Sequence, residues 1–179
     1  MKLLELPKTE HGEDTLTMKK EIYKKIADLL EIPEDKQWFL EEPVRYYKEN
    51  LETEWDIIDD EFYEDEDSVT WFCIVYEMIG ENKAWELDWK EELGEFMYAL
   101  EQILPDGLEV EVESLNEDDS IPDWAESINS VWTKFGYVLA CFDIDSDSYV
   151  IFVCKKGTFE QLQFEANKVD KRIDLTQNL

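Results

Sequence analysis

The order of elements along this chain predicts an α+β fold in a single domain, with helices packed on a mainly antiparallel sheet. Three observations carry that reading. The first third is helical in pattern, with apolar residues recurring at a 3.6-residue period. The last third holds two neighbouring apolar runs, "YVLACF" and "YVIFVC", joined by an aspartate-rich segment in the manner of a hairpin. From the middle onward strand-like and helix-like stretches alternate, giving helices first and then β-α-β-β-α-β. With 179 residues, 44% of them hydrophobic, the chain suits one domain with a real core.

Residues 1–16 read as a polar leader and 17–179 as the domain, divided into a helical extension over 17–67 and a core over 68–175. Thr17 reads as the N-cap of a helix from Met18 to about Glu31. Ile22, Ile26, Leu29 and Leu30 fall on one face of it. Pro33 ends that helix and suits the first turn of the next, which carries Trp38, Phe39 and Leu40; Pro43 restarts it. Residues 59–67, "DDEFYEDED", hold seven acids in nine positions, which favours a solvated loop or helix end.

"SVTWFCIVYEMIG" is apolar all round, so its period does not separate buried helix from buried strand. Ser68 as N-cap and Gly80 as C′ residue favour helix; the Val, Ile, Thr and aromatic content favours strand. "WELDWKEELGEFMYALEQIL" reads as a helix, with Asp88 and Glu91 spaced as a capping box and Leu93, Phe96, Met97, Leu100 and Leu104 as its buried stripe. "LEVEVESL" alternates apolar residues with glutamates, the pattern of a half-exposed strand. Ser120 and Pro122 open another helix, with Trp124, Ile128, Val131, Trp132 and Phe135 inward and Gly136 as its stop. The two apolar strands follow, central because both of their faces are apolar. Thr158 and Gln161 read as a capping box for a helix to about Lys168, and "RIDL" as a last short strand.

Charge narrows the function classes. There are 46 acidic residues against 17 basic ones, a net of -29. Such a field repels phosphate backbones and anionic membranes, so neither nucleic acid nor a membrane surface is an expected partner. A basic protein is, and association with one is fast and salt-sensitive. Cys73, Cys141 and Cys154 each sit inside an apolar run, without C-x-x-C spacing, which reads as buried thiols in a reducing cytoplasm. No window reaches the roughly 18 apolar residues that span a membrane.

Two groups of residues are candidate sites. Asp143, Asp145 and Asp147 in "FDIDSDSYVIF" present oxygens at alternating positions, as hard divalent cations require. An EF-hand loop would need Gly where Ser148 sits and Glu where Cys154 sits, so that motif fails. The competing reading is a turn whose Asp and Ser side chains accept backbone N–H bonds. Trp55, Asp59, Asp60, Phe62 and Tyr63 place aromatics among acids, a pattern that suits protein recognition; a packed helix with a charged outer face is the alternative. Beside Asp88, Trp89 reads as a core plug or a stacking anchor. His11 lies in the leader, far from any strand end, and the glycines form no phosphate loop.

"ELDWKEEL" (86–93) and "GYVLACFDIDSDSYVIFV" (136–153) resemble a family of bacterial proteins classed only as a domain of unknown function. Its members pair a D-W-K-E helix start with a D-x-D-S-D-x-Y hairpin. The likeness runs over residues 68 to 175 and implies one compact α+β domain, with no activity attached. In size, acidity and layout the chain is also similar, by analogy alone, to small immunity proteins that neutralise bacterial toxins. The expected function is a non-enzymatic, acidic, cytoplasmic protein-binding module for a basic partner, without a cofactor. The alternative is a divalent-metal protein or carboxylate-based metalloenzyme at Asp143, Asp145 and Asp147.

Overall fold

Four strands form one antiparallel sheet, and helices cover both of its faces. The structure is a computed structural model and describes residues 10–52, 60–110 and 115–179. In chain order, α1 (Glu10–Leu29), a 3₁₀ turn (Glu34–Leu40), α2 (Pro43–Asn50), α3 (Asp60–Glu64) and α4 (Glu66–Gly80) lead to β1 (Ala84–Asp88). Then come α5 (Leu93–Ile103), α6 (Ile121–Trp132), β2 (Tyr137–Phe142), β3 (Ser148–Lys155), α7 (Lys156–Asn167) and β4 (Ile173–Leu175). The sheet order is β1-β3-β2-β4, so the α+β, single-domain, antiparallel expectation holds.

The central strands are β3 and β2, and their register sets Cys141 opposite Ile151 and Phe142 opposite Val150. Side chains alternate across a strand, so the two faces carry different residues. Val138, Ala140, Phe142, Val150 and Phe152 join α1, α2, α4 and α7 in one core. Leu139 and Ile151 join α5 and α6 in the other. Trp71 and Phe39 anchor the first core; Trp124, Trp132 and Phe96 anchor the second, all of them fully buried. Each such side chain contributes roughly 1.5–3 kcal/mol by leaving water.

The structure corrects several local expectations. α1 is already under way at Glu10, so Thr17 lies inside it rather than at its cap. Residues 69–79 are helix, but Asp65 caps it, accepting the Asp67 N–H at 3.1 Å, and Ser68 donates to Asp65 at 2.6 Å. An ionised carboxylate suits both the free amide and the helix dipole better than a hydroxyl does. Gly80 is the last helical residue, and Asn82 takes the left-handed position at φ 55. Lys83 N–H then reaches back to Met78 O at 2.9 Å, completing a Schellman end.

"WELD" is strand, not helix: Ala84 to Asp88 pair with Phe152 to Ser148. Trp85 and Leu87 alternate with Glu86 and Asp88, a period of two that the following helix pattern masks. Leu108, Glu109 and Val110 are not strand, and residues 111–114 lie outside the described residues. Thr158 and Gln161 form no cap, because β3 runs directly into α7 at Lys156. Gln161 Nε2 donates instead to Gly157 O at 3.1 Å. Phe135 is 68% exposed, since α6 gives way to a 3₁₀ turn that rotates it off the buried face. Among the described residues no helix is long and apolar enough to cross a membrane.

Candidate functional site

The turn between β2 and β3 occupies residues 143–147 and breaks the strand alternation. Asp145 sits at φ 55, in the left-handed region that Asp tolerates better than most side chains. Asp143 Oδ1 accepts the Asp145 N–H at 3.0 Å, and Ser146 Oγ accepts the Ser148 N–H at 3.1 Å. These are the local bonds by which Asp and Ser make turns. Two longer-range bonds hold the tip: Trp71 Nε1–H donates to the Asp143 carbonyl at 2.9 Å, and Asp143 N–H donates to Arg172 O at 3.1 Å. Asp145 and Asp147 are exposed, and Asp143 is half-buried. No group of three or more His, Cys, Asp or Glu among the described residues is placed to hold a metal ion.

A cleft of about 460 Å³ opens beside this turn, lined among others by Trp89, Cys141, Asp143, Asp147, Tyr149 and Arg172. The sheet register explains why Trp89 is there. Asp88 pairs with Ser148, so the next residue stands beside the hairpin tip. Asp88 Oδ1 accepts the Lys90 N–H at 2.9 Å and its carbonyl accepts the Glu91 N–H at 3.0 Å. That tight turn throws the indole outward; Trp89 is 54% exposed and does not plug the core. Lys90 Nζ lies 4.5 Å from its ring centroid.

Cys141 and Tyr149 also line the cleft. Burial pushes the Cys141 thiol up to about 12, so it stays protonated and is a poor nucleophile. Arg172 donates to Asp174 Oδ2 at 2.9 Å and to Asn178 O at 2.7 Å, so its charge is already matched. Burial opposes ionisation of Asp174, but bonds from Asn178 and Arg172 outweigh it and hold the carboxyl below its usual range. Asp143 and Asp147, which also line the cleft, and Lys90 beside Trp89 make no ion pair among the described residues.

The second predicted group is only partly described. Trp55 and Asp59 lie outside the described residues, as does the side chain of Asp60. Phe62 packs edge-on against Tyr47 at 5.6 Å and Phe72 at 5.3 Å. Tyr63 donates its hydroxyl to Glu52 Oε1 at 2.6 Å, and Lys48 Nζ sits 3.9 Å from its ring. Both aromatics are thus half-buried in packing against α2 and α4.

A third feature emerges only from the layers. Between Ala84 and Trp132 the chain carries fifteen acidic residues and one basic residue, Lys90. This segment supplies β1 and the whole α5/α6 layer. None of the ion pairs among the described residues involves it. Those pairs lie on α1, α2, α4 and α7 and their connections, as in Lys36–Glu77 at 2.8 Å and Lys19–Asp67 at 2.9 Å, or close to β4, as in Arg172–Asp174. Tyr98, 51% exposed and edge-on to Trp85 at 5.5 Å, adds aromatic surface to the acidic layer. The sequence signal for this layer was the long stretch with a single lysine; Glu86 is the exception in placement, sharing the opposite face of the sheet with Ala84.

The family model described as domain of unknown function (DUF6630) matches residues 20–176, and the chain belongs to that family. No curated protein and no solved structure matches the chain.

Proposed function

We propose that this member of a family without assigned activity is a non-enzymatic binding module whose acidic α5/α6 layer engages a basic protein. The observation that supports it is that the segment building this layer has a single lysine and takes part in none of the ion pairs among the described residues. On the opposite layer lysines and arginines offset neighbouring carboxylates. The acids of the α5/α6 layer have no ion-pair partner among the described residues, and a cationic partner would offset their mutual repulsion. The field steers such a partner over roughly 10 Å in 0.1 M salt and weakens as salt rises. Trp85, Tyr98 and Trp89 supply aromatic contact of the kind that anchors interfaces. Free cysteines, Cys73 and Cys141 buried and Cys154 half-buried, fit a reducing cytoplasm as the place of encounter. Neutralisation of a basic toxin, as small immunity proteins perform it, is the narrowest form of this reading.

Two charge variants of equal size test it. One carries Glu92→Gln, Glu101→Gln, Glu109→Gln and Glu126→Gln on the acidic layer. The other carries Glu34→Gln, Asp35→Asn, Glu64→Gln and Glu160→Gln on the opposite one. A basic protein captured from cell extract by the immobilised chain, then purified and titrated back, is expected to lose at least about 10-fold in affinity to the first variant and little to the second. Equal losses in both, or no basic protein captured at low salt, contradict the proposal.

A further inference from the structure

We infer that the cleft at the hairpin tip is an arginine socket, taking a guanidinium from the basic partner onto Trp89 between Asp143 and Asp147. This rests on the reading of a basic partner and adds the chemistry of one contact. Three features of the cleft point to a planar cation. Its wall is a tryptophan ring left 54% exposed by the turn at Asp88, and tryptophan is the strongest of the aromatic faces toward a cation. Lys90 Nζ lies 4.5 Å from its centroid, so an incoming guanidinium takes the other face or displaces that ammonium.

Asp147, which lines the same cleft, makes no hydrogen bond or ion pair among the described residues. Asp143 spends Oδ1 on the Asp145 N–H and keeps its other oxygen for a donor. The one arginine in the cleft, Arg172, is matched by Asp174 and the Asn178 carbonyl, so the cleft selects for positive charge rather than against it. At about 460 Å³ the space takes an arginine side chain with its flanking backbone. Guanidinium is favoured over ammonium because it stacks flat on the indole while its edge forms paired bonds to carboxylate. The tip is held for this by Trp71 and by the Arg172 carbonyl, which pin Asp143 from two sides.

Titration of the full-length chain with hexa-arginine and hexa-lysine peptides, by calorimetry at low salt, tests the socket. The intact chain is expected to prefer hexa-arginine, and Trp89→Ala to lower hexa-arginine affinity about 5-fold with a smaller effect on hexa-lysine. Asp147→Asn is expected to act similarly, beyond the loss seen in the equal-charge control Asp118→Asn. If Trp89→Ala and Asp147→Asn match that control while the acidic-layer variant loses affinity, the socket is wrong and the binding layer stands. If neither peptide binds, both readings fail. A dimer of the chain that Trp89→Ala dissolves would make a second copy the occupant, and that too overturns the socket.

Discussion

Asn129 does with one side chain what a neighbouring strand does with its backbone. β4 pairs only with Ala140 to Phe142, so Leu139 is left without a strand partner on that side. The buried Asn129 amide fills the gap: its oxygen accepts the Leu139 N–H at 2.7 Å, and its nitrogen donates to the Leu139 carbonyl at 2.9 Å and to Gln177 Oε1 at 2.7 Å. Asn129→Leu keeps the volume but leaves a buried N–H without a partner and weakens the bonding of the Leu139 carbonyl. It is expected to cost about 2–4 kcal/mol in urea unfolding, and a loss below about 0.5 kcal/mol contradicts the role given to the amide. Nothing in "ESINSVW" announces this, because a strand mimic is defined by a partner elsewhere in the chain. The same holds for Glu77, which sits in the apolar run "CIVYEMIG" yet is buried against Tyr46 and paired with Lys36 at 2.8 Å. Burial, then the Glu77 bond, push the Tyr46 hydroxyl well above its ordinary range.

At the scale of elements, patterns with one period were legible and patterns that change period were not. The two central strands, α6 and the ends at Gly136 and Leu175 follow from apolar runs and turn residues. "WELDWKEEL" misleads because its Asp88–Glu91 spacing fits a helix cap and an Asp-initiated turn alike. Only the pairing of β1 with β3 decides between them. The hairpin tip is the opposite case, since its Asp and Ser residues were visible as turn formers and the structure uses Asp143, Asp145 and Ser146 so. Its left-handed residue, Asp145, sets a clear expectation. Asp145→Gly is expected to be neutral or stabilising by up to about 1 kcal/mol, and Asp145→Val to destabilise by about 1–2 kcal/mol. Equal stabilities for the two in thermal unfolding would contradict the turn's dependence on that backbone conformation.

For the whole molecule, the sequence carries the amount of charge and the fold decides where it goes unanswered. The net of -29 is plain from composition, and it directs attention to the densest run, residues 59–67. There Phe62 and Tyr63 turn out to be packed, and Asp65 and Asp67 cap a helix and pair with Lys19. The acids without an ion pair among the described residues are more thinly spread along Ala84 to Trp132, where α5 and α6 share one core against the sheet. β1 ends where Asp88 pairs with Ser148, and Trp89 and Asp147 line the cleft there, so the proposed layer and the proposed socket can be tested together. Amide chemical shifts of the isotope-labelled full-length chain, followed through a hexa-arginine titration at low salt, test this most directly. Shifts are expected to be confined to residues 84–132 and the tip at 143–149 and to fade as salt is raised. Shifts centred on α1, α2 and α7, or spread evenly over both layers, would contradict it.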